Sequence, residues 1–368
     1  MKFQFIRILF ISLLTLICSL GSSHAKSISI MSYNTENLFD TLDDPDRADE
    51  DFTPDGRYRW NTEKLKLKIQ QLGKVITSIK NPDGMPCPDV LSMVEVENAL
   101  VLKMLKEQAL SACEYKKTVI DKRDPDPRGI KVSLMTRFPV VGQPISHFVY
   151  DTGRVIQETH VNAHGTRLVI FVNHWKSRIP SSNDPDGGKS KRALAAKILR
   201  TRMNELYAED PGIEMIVTGD LNDEFEDDSI RKVLGTVADP EKATNPEKLV
   251  LWESSFDLLH DPRFDDLPTD EEKYAFLKLL RATYYFAREK AFNQLDHLLV
   301  SPGLLDDQGL TFIPKSFKVV RLVMNTDPQT KGPRRFTAFE DENGHFSRAL
   351  GASDHFPILI RLAVQENR

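Results

Sequence analysis

Short apolar runs that end in polar side chains recur along the chain, and they predict the strands of a sheet protein. The run from Met215 to Val217 stops at Gly219 and is followed by Asp220 and Asn222. In an extended chain, side chains two positions apart point to the same face. A carboxylate and an amide side by side at the end of a buried strand are costly to desolvate, which indicates a bound metal, phosphate or water. Taken alone, however, this stretch is better explained as a turn.

The same pattern predicts further strands at residues 27–31, 88–94, 115–120, 130–135, 168–172, 294–301 and 358–362. An amphipathic helix follows Asn61, its predicted N-cap, because apolar residues recur three and four positions apart while lysines fill the opposite face. Two more helices are predicted at about 99–110 and 191–206. The run Tyr284-Tyr285-Phe286 is interpreted as a core strand, and residues 224–280 are too charged and loop-rich to be assigned.

These elements favour an α/β (α+β) fold in a single domain, residues 26–368. Strands and helices alternate early, strands dominate elsewhere, and the sequence has no internal repeat or linker-like break. Two sheets packed together and flanked by helices are the simplest arrangement that buries all these apolar faces.

Residues 1–25 are predicted to be a cleavable signal peptide. Lys2 and Arg7 form a basic start, an apolar run extends from Ile8 to Leu20, and small residues precede a cleavage site after Ala25. That run is short for a membrane anchor, and no later stretch is apolar enough to span a bilayer. We therefore expect a periplasmic or secreted protein without stable membrane insertion.

The composition limits how a polyanion could be bound. The formal net charge is −5, whereas proteins that hold nucleic acid by bulk electrostatics are basic. The phosphate contacts are therefore local, or the substrate is small, or a cation contributes much of the positive charge.

Two cysteines follow the predicted signal peptide, Cys87 and Cys113. The strand after Cys87 and the returning helix before Cys113 would bring both to the same end of the sheet. This arrangement supports a disulfide in an oxidising compartment, although two free thiols are the alternative.

Polar residues at the predicted strand ends form the candidate site. Each has an ordinary structural explanation, such as a turn cap, a solvent-facing or ion-paired carboxylate, or a buried histidine. Together they offer oxygen ligands, two imidazoles and amide donors, and they are Asn34, Glu95, His174, Asp220, Asn222, Asp296, Asp354 and His355.

Hydrolysis of a phosphodiester uses this set of groups. A divalent, oxygen-loving cation neutralises the phosphate, histidines handle protons near neutral pH, and a carboxylate behind a histidine fixes its tautomer. Zinc is disfavoured because no HExxH motif or clustered Cys/His spacing occurs. We expect Mg²⁺, for which Mn²⁺ or Ca²⁺ can substitute.

The ordered motifs resemble those of the endonuclease/exonuclease/phosphatase superfamily, whose members share the deoxyribonuclease-I-like fold. The match extends over residues 27–362, and its motifs are Ser32-Tyr33-Asn34-Thr35-Glu36-Asn37, Val94-Glu95-Val96-Glu97-Asn98, Asn173-His174-Trp175, Gly219-Asp220-Leu221-Asn222, Leu295-Asp296-His297 and Ser353-Asp354-His355. The resemblance implies a four-layer αββα sandwich of two mostly antiparallel sheets, with the site where the sheets meet.

The resemblance also implies roles for these residues. Glu95 would be the principal metal ligand, with Asn34 and Asp354 nearby. Asp296 would orient His355 for proton transfer or phosphate stabilisation. The remaining three would act on water or phosphate, Asp220 by positioning or activating the attacking water and Asn222 and His174 by binding the phosphate.

The chain departs from the family pattern at two points. Val94 stands where many relatives have glutamine before the metal-binding glutamate. The tyrosine that some nucleases place near the phosphate has no clear counterpart, and Arg128 is the candidate for contacting the phosphate in its place. Lys176 and Arg178, with other basic residues, could line a phosphate groove, although a solvated charged face is the more common explanation; the others are Lys189, Lys191, Arg192, Arg334 and Arg335.

The leading hypothesis is an exported, monomeric, endonuclease-like enzyme that hydrolyses nucleic-acid phosphodiester bonds. Alternatives are a phosphomonoesterase, a sphingomyelinase-like lipid phosphodiesterase, or a catalytically inactive binding module. The last is disfavoured because all eight candidate residues are present.

Overall fold

The computed structural model describes residues 26–121, 126–150, 152–180, 182, 184–245 and 247–365. The predicted signal peptide, residues 1–25, lies outside the described residues. Strands are numbered in chain order: β1 Ser27–Leu38, β2 Val90–Val96, β3 Lys117–Ile120, β4 Lys131–Thr136, β5 Val140–Val149, β6 Arg154–Ala163, β7 Thr166–His174, β8 Glu214–Asp220, β9 Thr236–Val237, β10 Leu251–Glu253, β11 Tyr284–Phe286, β12 Ala291–Asn293, β13 Asp296–Val300, β14 Leu310–Phe312, β15 Lys318–Val319, β16 Thr337–Glu340, β17 Phe346–Leu350 and β18 Ile358–Val364. The α-helices are α1 Thr62–Thr77, α2 Ala99–Gln108, α3 Lys189–Glu209 and α4 Asp270–Arg281.

Two sheets of seven strands each dominate the described part of the chain. One has the order β14-β18-β1-β2-β4-β3, with β15 also paired to β18, and the other has the order β5-β6-β7-β8-β13-β10-β9. Most neighbours are antiparallel, but three pairs run parallel: β1 with β2, β7 with β8, and β9 with β10. Because parallel strands run in the same direction, the carboxyl ends of β1 and β2 lie at one edge of the first sheet, and those of β7 and β8 lie at one edge of the second.

Three layers of apolar side chains hold the sheets and helices together. The middle layer lies between the sheets and contains Ile30, Val94, Val172 and Ile216. One outer layer packs α1 and α2 against the first sheet, and the other packs α3 against the second. This confirms the predicted four-layer αββα sandwich.

Helix α1 begins as its sequence predicts, because the Asn61 side chain accepts a hydrogen bond from the backbone N of Lys64. One residue contradicts the prediction of a solvent-exposed lysine face. Lys68 is buried, and its Nζ donates to the carbonyl of Ala352 at 2.7 Å. It therefore ties α1 to the loop that carries Asp354.

Tyr284-Tyr285-Phe286 does not form a core strand, which corrects the prediction. These residues are only half-buried and pair with β12 in a separate two-stranded ribbon. They line a cleft of about 520 Å³ that extends to Asp354. The unassigned segment 224–280 supplies β9 and β10 to the second sheet, and α4 begins with a capping box at Thr269.

Cys87 and Cys113 form a disulfide with their Cα atoms 5.4 Å apart. This confirms the predicted pairing, and it connects the start of β2 to the segment that follows α2. None of the described helices combines the length and the apolar character that crossing a membrane requires.

Candidate active site

The two parallel strand pairs deliver their polar side chains to one place. In the first sheet, β1 and β2 contribute Asn34 and Glu95. In the second sheet, His174 and Asp220 are directly paired at the ends of β7 and β8. The side chains of all four lie within contact range, since Asn34 Nδ2 is 3.0 Å from Asp220 Oδ2 and His174 Nε2 is 3.7 Å from Glu95 Oε1.

The backbone at these strand ends departs from regular β-sheet geometry. Glu95 has a φ of +61°, and the pairing register of β2 shifts between Val94 and Val96. A positive φ is uncommon for a residue with a side chain and is concentrated at functional sites. Gly219 is required by close approach, because a Cβ there would lie 2.0 Å from the carbonyl oxygen of Asn173.

His355 is held between two carboxylates. Its Nδ1 pairs with Asp296 Oδ2 at 2.7 Å, and its Nε2 lies 3.8 Å from Asp220 Oδ2. Burial lowers the pKa of His355, but the charges of Asp296 and Asp220 and the hydrogen bond to Asp296 outweigh burial and raise this pKa well above its ordinary value. These contacts therefore favour the protonated form of His355.

Asp220 accepts hydrogen bonds on both oxygens. Asn34 Nδ2 donates to Oδ2 at 3.0 Å, and the backbone N of Asn222 donates to Oδ1 at 2.9 Å. Burial, together with the charges of Asp296 and Glu95, raises the pKa of Asp220 to about 7, although His355 opposes the rise. A carboxyl with this pKa can accept a proton near neutral pH.

The pKa of His174 is shifted in the opposite direction to that of His355. Its Nε2 lies 3.7 Å from Glu95 and 3.9 Å from Asp220. Burial and the positive charges of Arg154, Arg128 and His355 lower the pKa of His174 well below its ordinary value. The pKa values of the two imidazoles of the site are therefore shifted in opposite directions.

Three carboxylates offer oxygens for a metal ion. Glu95 receives one hydrogen bond on Oε2, from the backbone N of Asn37 at 2.9 Å. Partial burial and the charges of Glu36 and Glu95 raise the pKa of Asp354 to about 7. Carboxylates crowded in this way repel one another and fit a divalent cation that would neutralise them.

Glu36 was not identified from the sequence. Its φ is +51° and the register of β1 shifts after Asn34, so the alternation of an extended strand does not predict where its side chain lies. Its Oε1 accepts from Arg335 Nε at 2.7 Å, and Arg335 Nη2 also lies 3.3 Å from Asp354. Arg335 thus bridges two of the three carboxylates.

Two further arginines, Arg128 and Arg154, lie close to the candidate site. Arg128 Nη1 donates to the Asn37 side chain at 3.2 Å. Arg154, at the start of β6, is buried and pairs with Asp126, and its Nε has no hydrogen-bond partner among the described residues. Burial lowers the pKa of Arg154, while Asp126, Glu95 and Asp220 oppose that effect. The sequence gave no signal for Arg154.

The basic residues predicted to form a phosphate groove are largely neutralised. Arg178 lies 3.4 Å from Asp227, and Arg192 is buried against Asp223 at 2.6 Å. Lys176 is half-buried next to His174, so it alone of these three adjoins the candidate site without an ion pair among the described residues. These ion pairs reduce the positive charge that Arg178 and Arg192 present to a substrate, and the phosphate groove stays a prediction.

Asn222 does not point its amide freely into the site, since Nδ2 donates to the carbonyl of Trp175 at 3.1 Å. The φ of Asn222 is +52°. The side chain therefore fixes the turn that follows β8 and lies next to Asp220.

Comparison with known proteins identifies the family. The sequence profile described as the Endonuclease/Exonuclease/phosphatase family matches residues 29–252. The chain belongs to this family. Its members are hydrolases of phosphoesters and typically depend on a divalent metal. No curated protein matches the sequence.

Solved structures share the fold of this endonuclease/exonuclease/phosphatase chain. An endonuclease/exonuclease/phosphatase family protein from Bacteroides thetaiotaomicron is 17% identical with a TM-score of 0.54, covering 93% of this chain and 100% of that one. A mannosyl-6-phosphatase from the same organism is 16% identical with a TM-score of 0.51, covering 91% and 99%. A humanized D. rerio TDP2 is 14% identical with a TM-score of 0.52, covering 92% and 99%. These likenesses establish the fold alone.

Proposed function

We propose that the protein is an exported, Mg²⁺-dependent phosphodiesterase that cleaves phosphodiester bonds in nucleic acid. The observation that carries the proposal is the placement of two imidazoles around Asp220, since His174 Nε2 lies 3.9 Å and His355 Nε2 lies 3.8 Å from its Oδ2. Two titratable groups whose pKa values are pushed apart at one site are typical of acid–base catalysis.

The metal would be held by Glu95 and Asp354, with Glu36 next to them. When bound, it would neutralise phosphate charge and polarise a phosphoryl oxygen. Asn34 uses both side-chain atoms on the protein, since Oδ1 accepts from Glu36 N at 2.9 Å and Nδ2 donates to Asp220. We therefore assign Asn34 to orienting Asp220 in addition to lying near the metal.

The remaining residues act on water and phosphate. Asp220, fixed by two donors, accepts a proton from the attacking water, and Asn222 maintains the turn that supplies one of those donors. His355, oriented by Asp296, donates a hydrogen bond or proton to the phosphate oxygens. His174, Arg128 and Arg154 stabilise the charge that develops on the phosphate, and Lys176 and Arg178 are candidates for contacting flanking phosphates.

Nucleic acid is supported by one relative and by one cleft. A D. rerio TDP2 structure with a TM-score of 0.50 contains a single-strand DNA product. The cleft next to Asp354 is lined by Tyr284, Phe286, Arg288 and Arg334. Aromatic faces stack on bases and arginines pair with phosphates, so the cleft suits a single-stranded end rather than a long duplex.

A phosphomonoesterase of the same fold is the second candidate. Arg178 and Arg192 are both ion-paired, and the cleft has a small volume, about 520 Å³. Both features favour a small phosphate ester. Among the structural neighbours, one is a mannosyl-6-phosphatase.

The test uses residues 26–368 with Mg²⁺ and supercoiled plasmid, single-stranded DNA, and a sugar phosphate as parallel substrates. EDTA and His355→Ala should each abolish turnover, whereas His345→Ala, at an exposed histidine, should not. Cleavage of either DNA supports the proposal. Turnover of the sugar phosphate alone supports the second candidate, and no turnover of any ester by folded, metal-loaded protein refutes both.

Export and assembly form a separate proposal. We propose cleavage after Ala25, a periplasmic or secreted location, and a monomeric single-domain product spanning residues 26–368. N-terminal sequencing of the protein from the native cell envelope or medium, followed by light scattering, tests these points. An intact N-terminus would overturn export.

A further inference from the structure

A second group of carboxylates includes Glu97, two residues after Glu95, and none of its members belongs to the candidate site described above. Asp44 and Asp49 belong to the acidic loop between β1 and α1, and Glu97 follows β2. One oxygen from each residue lies within 4.8 Å of the others, which is the span of two Ca²⁺–oxygen bonds at roughly 2.4 Å. The sequence shows only that the loop is acidic, because the aspartates lack the EF-hand spacing.

Two of these carboxylates are removed from water without a counter-charge. Asp49 and Glu97 are only 1% and 2% exposed. Asp49 contributes one oxygen to the group, and its Oδ1 is buried with no hydrogen-bond partner among the described residues. No described lysine or arginine forms an ion pair with any of the three. Buried carboxylates without partners are unfavourable as anions, so they are either protonated or neutralised by a bound cation.

The hydrogen bonds that are present leave room for a cation. Asp49 Oδ2 accepts from the backbone N of Asp44 at 3.3 Å, and Glu97 Oε2 accepts from the backbone N of Asp40 at 2.6 Å. Each of these two carboxylates therefore keeps lone pairs directed away from its single donor.

We infer that Asp44, Asp49 and Glu97 bind a divalent cation of the Ca²⁺ type. The group offers only oxygens, which disfavours zinc. It joins an irregular loop to the end of a strand, and Ca²⁺ accepts such flexible, carboxylate-rich geometry, whereas Mg²⁺ keeps several waters and rarely uses an all-protein cage.

The cation would hold the acidic loop against the first sheet. The same loop contacts the segment that carries Arg128, since the backbone N of Ala48 donates to the carbonyl of Pro127 at 2.8 Å and Arg47 Nη1 donates to the carbonyl of Asp126 at 3.1 Å. Binding would therefore stabilise the fold and fix one wall of the candidate active site, without contact with the substrate.

The test measures Ca²⁺ binding alone, with EDTA-treated and dialysed protein of residues 26–368. Glu95→Gln is introduced first to weaken metal binding at the candidate active site. Calorimetric titration with Ca²⁺ and thermal unfolding with and without Ca²⁺ are then compared for Asp49→Asn and for Asp51→Asn. Asp51 is an exposed acid in the same loop and serves as the matched control.

We expect Asp51→Asn to retain Ca²⁺ binding and a Ca²⁺-dependent rise in Tm. Asp49→Asn should bind Ca²⁺ at least tenfold more weakly and lose that rise. Without metal, Asp49→Asn should unfold at the same or a higher temperature, because the substitution removes a buried unpaired charge; a merely structural aspartate would give the opposite sign.

If Asp49→Asn does not fold, Asp44→Asn provides the same comparison at an exposed position. The inference is overturned if the folded variants bind Ca²⁺ as tightly as Asp51→Asn does. It is also overturned if the Glu95→Gln protein takes up no Ca²⁺. Neither outcome depends on catalytic turnover. Failure of this inference can therefore be distinguished from failure of the proposed function.

Discussion

His355 Nδ1 lies 2.7 Å from Asp296 Oδ2, and the opposite nitrogen of the same ring lies 3.8 Å from Asp220. Asp296 is fully buried and is paired with Asp220 across the strands β13 and β8. One strand register therefore sets the distance between the carboxylate that orients the histidine and the carboxylate that faces its reactive nitrogen.

Asp296→Asn should lower kcat by about 10²- to 10⁴-fold, because the amide cannot hold the imidazolium or fix its tautomer. KM should change little, since Asp296 does not reach the substrate. Steady-state kinetics measure both, with Asp266→Asn at an exposed position as the control. Activity within twofold of the control would remove Asp296 from the proposed mechanism.

Glu95→Gln should raise the Mg²⁺ concentration needed for half-maximal activity by about tenfold or more, because it removes the carboxylate that we assign to the metal. Glu114→Gln is a matched control, since Glu114 is exposed and also has a positive φ, +56°. An unchanged Mg²⁺ titration in folded Glu95→Gln would mean that the metal is held elsewhere.

Arg154→Lys should lower kcat/KM by about 10- to 100-fold, because an ammonium cannot reproduce the two-point contact of a guanidinium. The substitution keeps the positive charge next to Asp126, so the protein should remain folded. Arg231→Lys, at an exposed site, provides the comparison. Equal kcat/KM values for the two variants would show that Arg154 only neutralises Asp126.

Glu214→Gln should stabilise the protein at pH 8. Burial, with smaller contributions from Asp306 and Asp210, raises the pKa of Glu214 from 4.5 to about 7. Between these values the folded state binds more protons than the unfolded state, so the stability falls as the pH rises through this window. Glutamine removes that loss and can still accept the hydrogen bond from Leu310 N.

The difference in unfolding free energy between Glu214→Gln and wild type should reach about 2–3 kcal/mol at pH 8 and approach zero at pH 4. Urea unfolding at both pH values measures it, and Glu209→Gln at an exposed site is the control. An equal difference at both pH values would contradict this account.

The sequence predicted the site residues that follow apolar runs. Asp220, Glu95 and His174 were found because a continuous buried strand precedes each one, and Asn61 was found because a helix N-cap is a local signal. Such residues are recognisable without knowledge of distant contacts.

Arg154 was missed because strand β6 was missed. Its centre contains Glu158, which is fully buried and hydrogen-bonded to His147, His160 and Arg202 at 2.6–3.0 Å. A charged residue within a strand disrupts the apolar pattern, and two of its partners, His147 and Arg202, lie on other elements that the sequence does not reveal. The prediction of a core strand at Tyr284-Tyr285-Phe286 was wrong for the converse reason, since an apolar run can also line a cleft.

The first strand of the fold is paired with the last, and Ser27 lies opposite Ala363. A chain emerging from the ribosome therefore presents β1 with one side unpaired until β18 has been made. Asn34 on β1 and His355 just before β18 come together only at that stage. Contacts of such long sequence separation form slowly, so the candidate site is expected to assemble only after β18 has been made.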